Sequence, residues 1–270
     1  MNLEIIAKYP SGDQCPTPLL FVHGMMCTAS SWDVHFLDYF AQHGFASHAV
    51  DLRGHGKSEG GENLRWTRIA DFVEDVETAI GQLPRPPVLI GHSMGGFIAQ
   101  KYLEGRELPG AVLLSSPSPK GLLSTALRKA RSHPLSFAKV NLTFSLLPFI
   151  ATPELTRDAF FSRDLPEDQL LEYRKRMQDD SFAAFLDMVL LDLPNPSKVK
   201  TPVLVLGAGR DNMLDADEIE STAQAYHTHA AIIPGVAHNS MLEPRWQSVA
   251  DQILAWLTNR GLAQPKTKFN

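Results

Sequence analysis

The stretch Val88-Leu89-Ile90-Gly91-His92-Ser93-Met94-Gly95-Gly96 constrains the fold more than any other part of the chain. An apolar strand pattern runs into G-x-S-x-G and then directly into a helical pattern. A chain that turns from strand to helix within about one residue must hold the serine in a strained backbone conformation. Gly91 and Gly95 lack a Cβ, so strand and helix can approach closely there. The turn lifts the Ser93 hydroxyl above a sheet edge. It also leaves the Met94 N–H at a helix N-terminus, where negative charge is favoured. Short glycine motifs occur by chance; the strand before this one and the helix after it give it weight.

Around this turn, short β-branched or apolar runs alternate with helical patterns, which argues for βα units and a mostly parallel sheet. Expected strands are Leu3 to Ala7, Leu19 to Val22, Ser47 to Leu52, Val88 to Ile90, Ala111 to Leu114, Pro202 to Leu206 and Ala230 to Ile233. The Leu19 run is continuously apolar, as a strand buried on both faces should be. Expected helices are Ser31 to His43, Trp66 to Leu83, one running from Ser93 to Glu104, Ala216 to Tyr226 and Trp246 to Asn259. The Trp66 helix is the clearest: Trp66, Ile69, Val73, Val76, Ile80 and Leu83 recur at three- and four-residue steps. Between Pro117 and Pro196 strand patterns vanish. Leu122 to Arg131, Phe137 to Leu147, Pro153 to Phe161, Glu167 to Met177 and Ser181 to Leu191 read as helices separated by prolines. This predicts an α/β core of residues 1–116 and 197–263 with an all-helical cap of residues 117–196, and a disordered tail of residues 264–270.

A serine hydroxyl is a poor nucleophile until a base takes its proton. Of the ten histidines, His238 follows the last strand in Pro234-Gly235-Val236-Ala237-His238-Asn239. Loops at the carboxyl ends of parallel strands converge on one edge, the edge where Ser93 sits. His23, His55 and His92 also lie near strand ends. His35, His43, His48, His133, His227 and His229 read as surface or packing residues. The base needs an orienting acceptor. Asp211, in Gly207-Ala208-Gly209-Arg210-Asp211, follows a strand and lies between serine and histidine in chain order. Asp215 and Asp217 compete with it, although they suit the first turn of the next helix. Donors for a tetrahedral oxyanion are expected from the Met94 N–H and from Met25, in the loop His23-Gly24-Met25-Met26.

Together, His23-Gly24, Asp51-Leu52-Arg53-Gly54-His55-Gly56-Lys57-Ser58, the Ser93 turn, the Asp211 loop and the His238 loop make the chain resemble the α/β-hydrolase superfamily. More closely, it is similar to lysophospholipase and monoacylglycerol-lipase-like carboxylesterases. The resemblance implies an eight-stranded type of core, with the helical cap inserted after the sixth strand of that pattern. Only one strand precedes Leu19 here, so the N-terminal edge is expected to be shortened. It also implies a Ser93–His238–Asp211 triad, no cofactor, no metal, and a turn at Arg53 to Ser58 that is structural. Met25 after His-Gly resembles the oxyanion loop of relatives that take longer acyl chains. Phe137, Val140, Leu142, Phe144, Leu146, Leu147, Phe149 and Ile150 make the cap apolar enough to pack on the core and to line an acyl pocket. Trp32, Trp66 and Trp246 read as packing residues.

The expected activity is hydrolysis of a carboxylic ester, such as a monoacylglycerol or lysophospholipid. Thioester, lactone, amide and carbon–carbon hydrolysis stay open, and a non-catalytic ligand-binding protein is the alternative of another class. A net charge of −5 with no block of Lys or Arg points away from nucleic acid. No apolar run is long enough to span a bilayer, so the expected partner is a small ester, with at most a weak surface contact of the cap with a membrane. Two cysteines, Cys15 and Cys27, make no disulfide framework. With no signal-like N-terminus, the expectation is a cytoplasmic protein; the oligomeric state stays open.

Overall fold

Alternating apolar runs and helices fold as their order requires. The computed structural model describes residues 1–263 of the 270-residue chain; the tail expected to be disordered, Gln264 to Asn270, lies outside the described residues. Seven strands form one sheet: β1 (Ile5–Lys8), β2 (Leu19–Val22), β3 (Ser47–Val50), β4 (Val88–His92), β5 (Gly110–Leu114), β6 (Val203–Ala208) and β7 (Ala230–Ile233). Their spatial order is β1-β3-β2-β4-β5-β6-β7. All neighbours are parallel except β1 and β3, which pair antiparallel from Ile5↔Val50 to Lys8↔Ser47. Among the described residues a single strand, β1, precedes β2.

The core lies on both faces of the sheet. Leu19 and Phe21 of β2 enter one hydrophobic cluster, Leu20 and Val22 the other, as the two-residue period of a strand dictates. Helices α1 (Ser30–Asp33), α2 (Phe36–Gln42), α3 (Ile69–Gly81), α4 (Met94–Tyr102), α10 (Ala216–Ala225) and α11 (Trp246–Asn259) accompany the strands. Between β5 and β6 comes a helical insertion: α5 (Leu123–Ser132), α6 (Pro134–Thr143), α7 (Pro153–Phe160), α8 (Glu167–Lys175) and α9 (Phe182–Leu186), the last continued by a π-helical turn, Asp187–Leu191. The insertion follows β5, the fifth strand among the described residues.

Several element ends differ from the sequence expectation. The helix expected over Ser31 to His43 is broken at His35 (φ −142°), whose ring stacks on Trp246 at 4.6 Å. The helix expected from Trp66 starts at Ile69 instead. Trp66 ends a 3₁₀ turn and is 58% exposed, leaning on Phe144 at 5.6 Å, so it is no core packing residue. Trp32 is fully buried and Trp246 half-buried. In the insertion, α6 begins at Pro134, whose fixed φ and missing N–H suit the first helical position, and ends at Phe144 in the left-handed region (φ 52°).

Buried aspartates tie the insertion to the core. Asp187 is fully buried; its Oδ2 accepts from the Ile69 N–H at 3.0 Å and from Arg68 Nε at 2.7 Å. It thereby supplies, from another segment, the carboxylate that a helix N-terminus favours. Among the described residues no helix is long and apolar enough to cross a membrane. Cys15 and Cys27 are both buried and unpaired, and burial pushes the Cys27 thiol up to about 12.

Candidate active site

Three loops at the carboxyl ends of strands bring Ser93, His238 and Asp211 together. Ser93 joins β4 to α4 at φ 50°, ψ −119°, a backbone region that ordinary side chains avoid. The turn fits there because the residues two before and two after the serine are glycines: a Cβ on Gly95 would lie 2.4 Å from the Val22 carbonyl oxygen. The half-buried Ser93 hydroxyl donates to His238 Nε2 at 2.9 Å, and His238 Nδ1–H donates to Asp211 Oδ2 at 2.8 Å. Asp211 is held in turn, since its Oδ1 accepts from the N–H groups of Met213 (2.8 Å) and Leu214 (3.0 Å). The carboxylate therefore cannot rotate freely, and the imidazole is locked in the tautomer whose Nε2 lone pair faces the serine. Of the competing acids, Asp215 is the N-cap of α10, accepting from the Glu218 N–H at 2.9 Å, and Asp217 lies in that helix's first turn.

His92 supports this arrangement from below. It ends β4, fully buried, and its Nε2–H donates to the His238 carbonyl oxygen at 2.9 Å. Burial and the adjacent His238 ring hold its pKa well below the usual imidazole range, so it stays a neutral single donor. Gly24 passes so close that a Cβ there would meet His92 Nδ1 at 2.6 Å. Next to it are the two amides expected to face an oxyanion. Among the described residues neither the Met25 nor the Met94 N–H has an acceptor, so both are free to donate.

The Met25 loop is held by a network that sequence reasoning missed. Met26 sits at φ 64°. Its N–H donates to Asp180 Oδ2 at 2.6 Å and its carbonyl accepts from the Gln178 N–H at 3.2 Å. Asp180 Oδ2 also accepts from His55 Nε2–H at 3.0 Å, while His55 Nδ1–H donates to the Arg53 carbonyl at 3.0 Å. Both nitrogens of this buried ring face oxygen acceptors, which requires an imidazolium. Burial pushes the His55 pKa down, but the Asp180 carboxylate outweighs it and raises it above 6.5. Burial raises the Asp180 pKa less than His55 and its hydrogen bonds lower it. His23, whose ring lies tilted against that of His55 at 4.7 Å, is pushed down to about 3 by burial and by the charge of its neighbour. Asp180 lies 125 residues from His55, and no local pattern announces it.

A cavity lined by Ser93 and His238 runs between core and insertion. Leu146, Leu155, Phe160, Phe185 and Met188 give it apolar walls. Of the apolar cap residues singled out in the sequence, Phe137, Leu146 and Phe149 line this cavity. Val140 and Ile150 are buried in the core cluster, and Leu142, Phe144 and Leu147 are exposed. Among the described residues no group of three or more His, Cys, Asp or Glu is placed to hold a metal ion.

The model of the Alpha/beta hydrolase family matches residues 19–252. A monoacylglycerol lipase of Mycolicibacterium smegmatis is 26% identical over 243 residues, which cover 83% of this chain and 82% of that protein. A thermophilic esterase of Thermogutta terrifontis has a TM-score of 0.72 at 20% identity, covering 96% of this chain and 93% of that one. A monoacylglycerol lipase of Paleococcus ferrophilus has a TM-score of 0.70 at 20% identity, covering 96% of this chain and 100% of that one. At such identities the structural likeness concerns the fold.

Proposed function

We infer the activity from one premise: the chain belongs to the Alpha/beta hydrolase family. It is a serine esterase that cleaves a carboxylic ester of medium or long acyl chain through an acyl-enzyme on Ser93. The observation that carries this reading is the chain of hydrogen bonds from Ser93 through His238 to Asp211, opening on an apolar cavity. Ser93 Oγ attacks the ester carbonyl carbon while His238 Nε2 takes its proton. The carbonyl oxygen becomes an oxyanion that accepts from the Met25 and Met94 amides. The tetrahedral intermediate collapses, the C–O bond to the alcohol breaks, and His238 returns the proton to the departing oxygen. A water molecule, deprotonated by the same imidazole, then releases the acid and restores Ser93.

The name of the Mycolicibacterium smegmatis relative, the apolar walls and the position of Met25 support a monoacylglycerol or lysophospholipid as the substrate type. Residues 117–196 act as the cap that closes over the acyl chain. Leu135, Leu142 and Leu147, exposed on that cap, suit a weak contact with a lipid surface. The test is hydrolysis of p-nitrophenyl esters from acetate to palmitate by the wild type and Ser93→Ala. The reading predicts Ser93-dependent rates that peak beyond butyrate. A peak at acetate would remove the lipid substrate and keep the mechanism. Absence of Ser93-dependent turnover on every ester would sink the esterase reading and favour thioesters, lactones, amides or carbon–carbon substrates.

A further inference from the structure

Away from Ser93 and His238, most residues around the cavity are apolar, but three charged or titratable ones also line it. Lys129 on α5, His133 just after that helix and Asp158 on α7 line the same cavity as Ser93. Lys129 is only 8% exposed, a setting in which lysine is rare unless paired. Its Nζ has one ion-pair partner, Asp158 Oδ2 at 3.5 Å, and makes no closer contact with an acceptor among the described residues. An ammonium carries three N–H donors, so a single ion pair at 3.5 Å leaves Lys129 Nζ with donating capacity to spare. Asp158 is better served: its Oδ2 also accepts from His133 Nε2–H at 3.0 Å, and its side chain is 45% exposed. Ser136, three residues after His133, lines the same cavity.

Lys129 and the residues Ser93 and His238 line one and the same cavity. Asp158 is two residues before Phe160 on α7, and the Phe160 ring lies 5.9 Å from that of His238. The Asp158 carbonyl accepts from Asn212 Nδ2 at 2.9 Å, and Asn212 follows Asp211 directly.

We propose that this end of the cavity binds an anionic group, a carboxylate or a phosphate, carried by the ester substrate, with Lys129 Nζ as its ion-pair partner and His133 and Ser136 as further donors. The Asp158 carboxylate stands where that anion would sit, so it is an internal stand-in that swings to water when the substrate's own anion arrives. The proposal rests on the esterase reading and narrows its substrate class. The anion can come from the far end of the acyl chain or from the leaving group, and the test separates the two.

The experiment compares kcat/KM on two matched pairs. One is p-nitrophenyl octanoate against the mono-p-nitrophenyl ester of octanedioic acid, whose anion is on the acyl side. The other is 1-octanoylglycerol against 1-octanoylglycerol 3-phosphate, whose anion is on the leaving group. At least one anionic member should exceed its neutral partner by roughly tenfold to a hundredfold, the range for a hydrogen bond to a charged group. Lys129→Met should bring that ratio towards one, and Asp158→Asn, which removes the stand-in, should raise it. A Lys129–Asp158 pair that merely staples α5 to α7 would make both variants move the ratio alike or not at all. Wild-type ratios at or below one in both pairs overturn the proposal. Calorimetric titration of Ser93→Ala with the two anionic esters reads binding without turnover. Anion-dependent binding without hydrolysis by the wild type would sink the esterase reading alone, whereas hydrolysis of neutral esters without anion preference would sink this proposal alone.

Discussion

Ser93 is legible in the sequence because everything that makes its turn is local. The backbone at φ 50° follows from glycines within two residues, and the strand and helix on either side have unambiguous patterns. Asp211 and His238 are legible for a topological reason: loops after parallel strands end on one edge, and chain order selects among them. The anchoring of the His238 backbone is not legible, since it depends on His92 Nε2–H donating to the His238 carbonyl across 146 residues. His92 stood among three undistinguished loop histidines, and only the sheet register brings it under the His238 loop. At this scale the account predicts that Asp211→Asn leaves the thermal unfolding midpoint within a few degrees of wild type and lowers kcat by roughly 10⁴-fold, because the amide stabilises the wrong imidazole tautomer. Steady-state kinetics on a p-nitrophenyl ester measure it. A fall of less than about tenfold would move the orienting role to another acid.

At the scale of elements, the insertion is fastened where its sequence looks least remarkable. Gln178 and Asp180, between α8 and α9, grip the Met26 turn and the Gly54–Gly56 turn, since the Gln178 side chain bonds both the Gly56 N–H (3.0 Å) and the Gly54 carbonyl (2.8 Å). The segment from Arg53 to Ser58, read from sequence as a structural turn, is thus also a docking platform for the insertion. Helix periodicity revealed the five insertion helices but not these contacts, which join residues more than a hundred positions apart. The His55–Asp180 pair makes stability depend on pH in a defined direction. The His55 pKa is raised in the folded state, so its contribution is complete below 6.5 and is lost as pH climbs through the raised value. The Asp180 pKa is lowered, so its contribution is present above 3.8 and is lost as pH falls through the lowered value. Thermal unfolding followed from pH 5 to 9 should show a midpoint that declines above about 6.5. Asp180→Ala, which strands a buried imidazolium, should cost about 3–5 kcal/mol near neutral pH and flatten that decline. Identical slopes in the two proteins would mean that the pair does not titrate as described.

For the whole molecule, the arrangement puts Ser93, at φ 50°, at a sheet edge beside a cavity with apolar walls. The helical insertion between β5 and β6 was readable from the loss of strand patterns between Pro117 and Pro196. Which residues face inward was not, because Phe137, Leu146 and Phe149 line the cavity while Leu142 and Leu147, in the same short stretch, face water. That division depends on where α6 begins and ends, and Pro134 and the left-handed Phe144 fix both limits. The cationic spot at Lys129 was equally hidden, since a lysine on a cap helix reads as solvated until α7 brings Asp158 beside it. What unites the molecule is the assertion that fold, cavity and hydrogen-bond chain exist to activate one hydroxyl. Treatment with a fluorophosphonate, followed by intact mass and peptide mapping, tests that most directly. The account predicts one adduct per chain, on Ser93, formed rapidly by the wild type and at least a thousandfold more slowly by His238→Ala, in line with loss of the general base (roughly 10³-fold or more). No adduct on Ser93, or labelling at the same rate without His238, would contradict it.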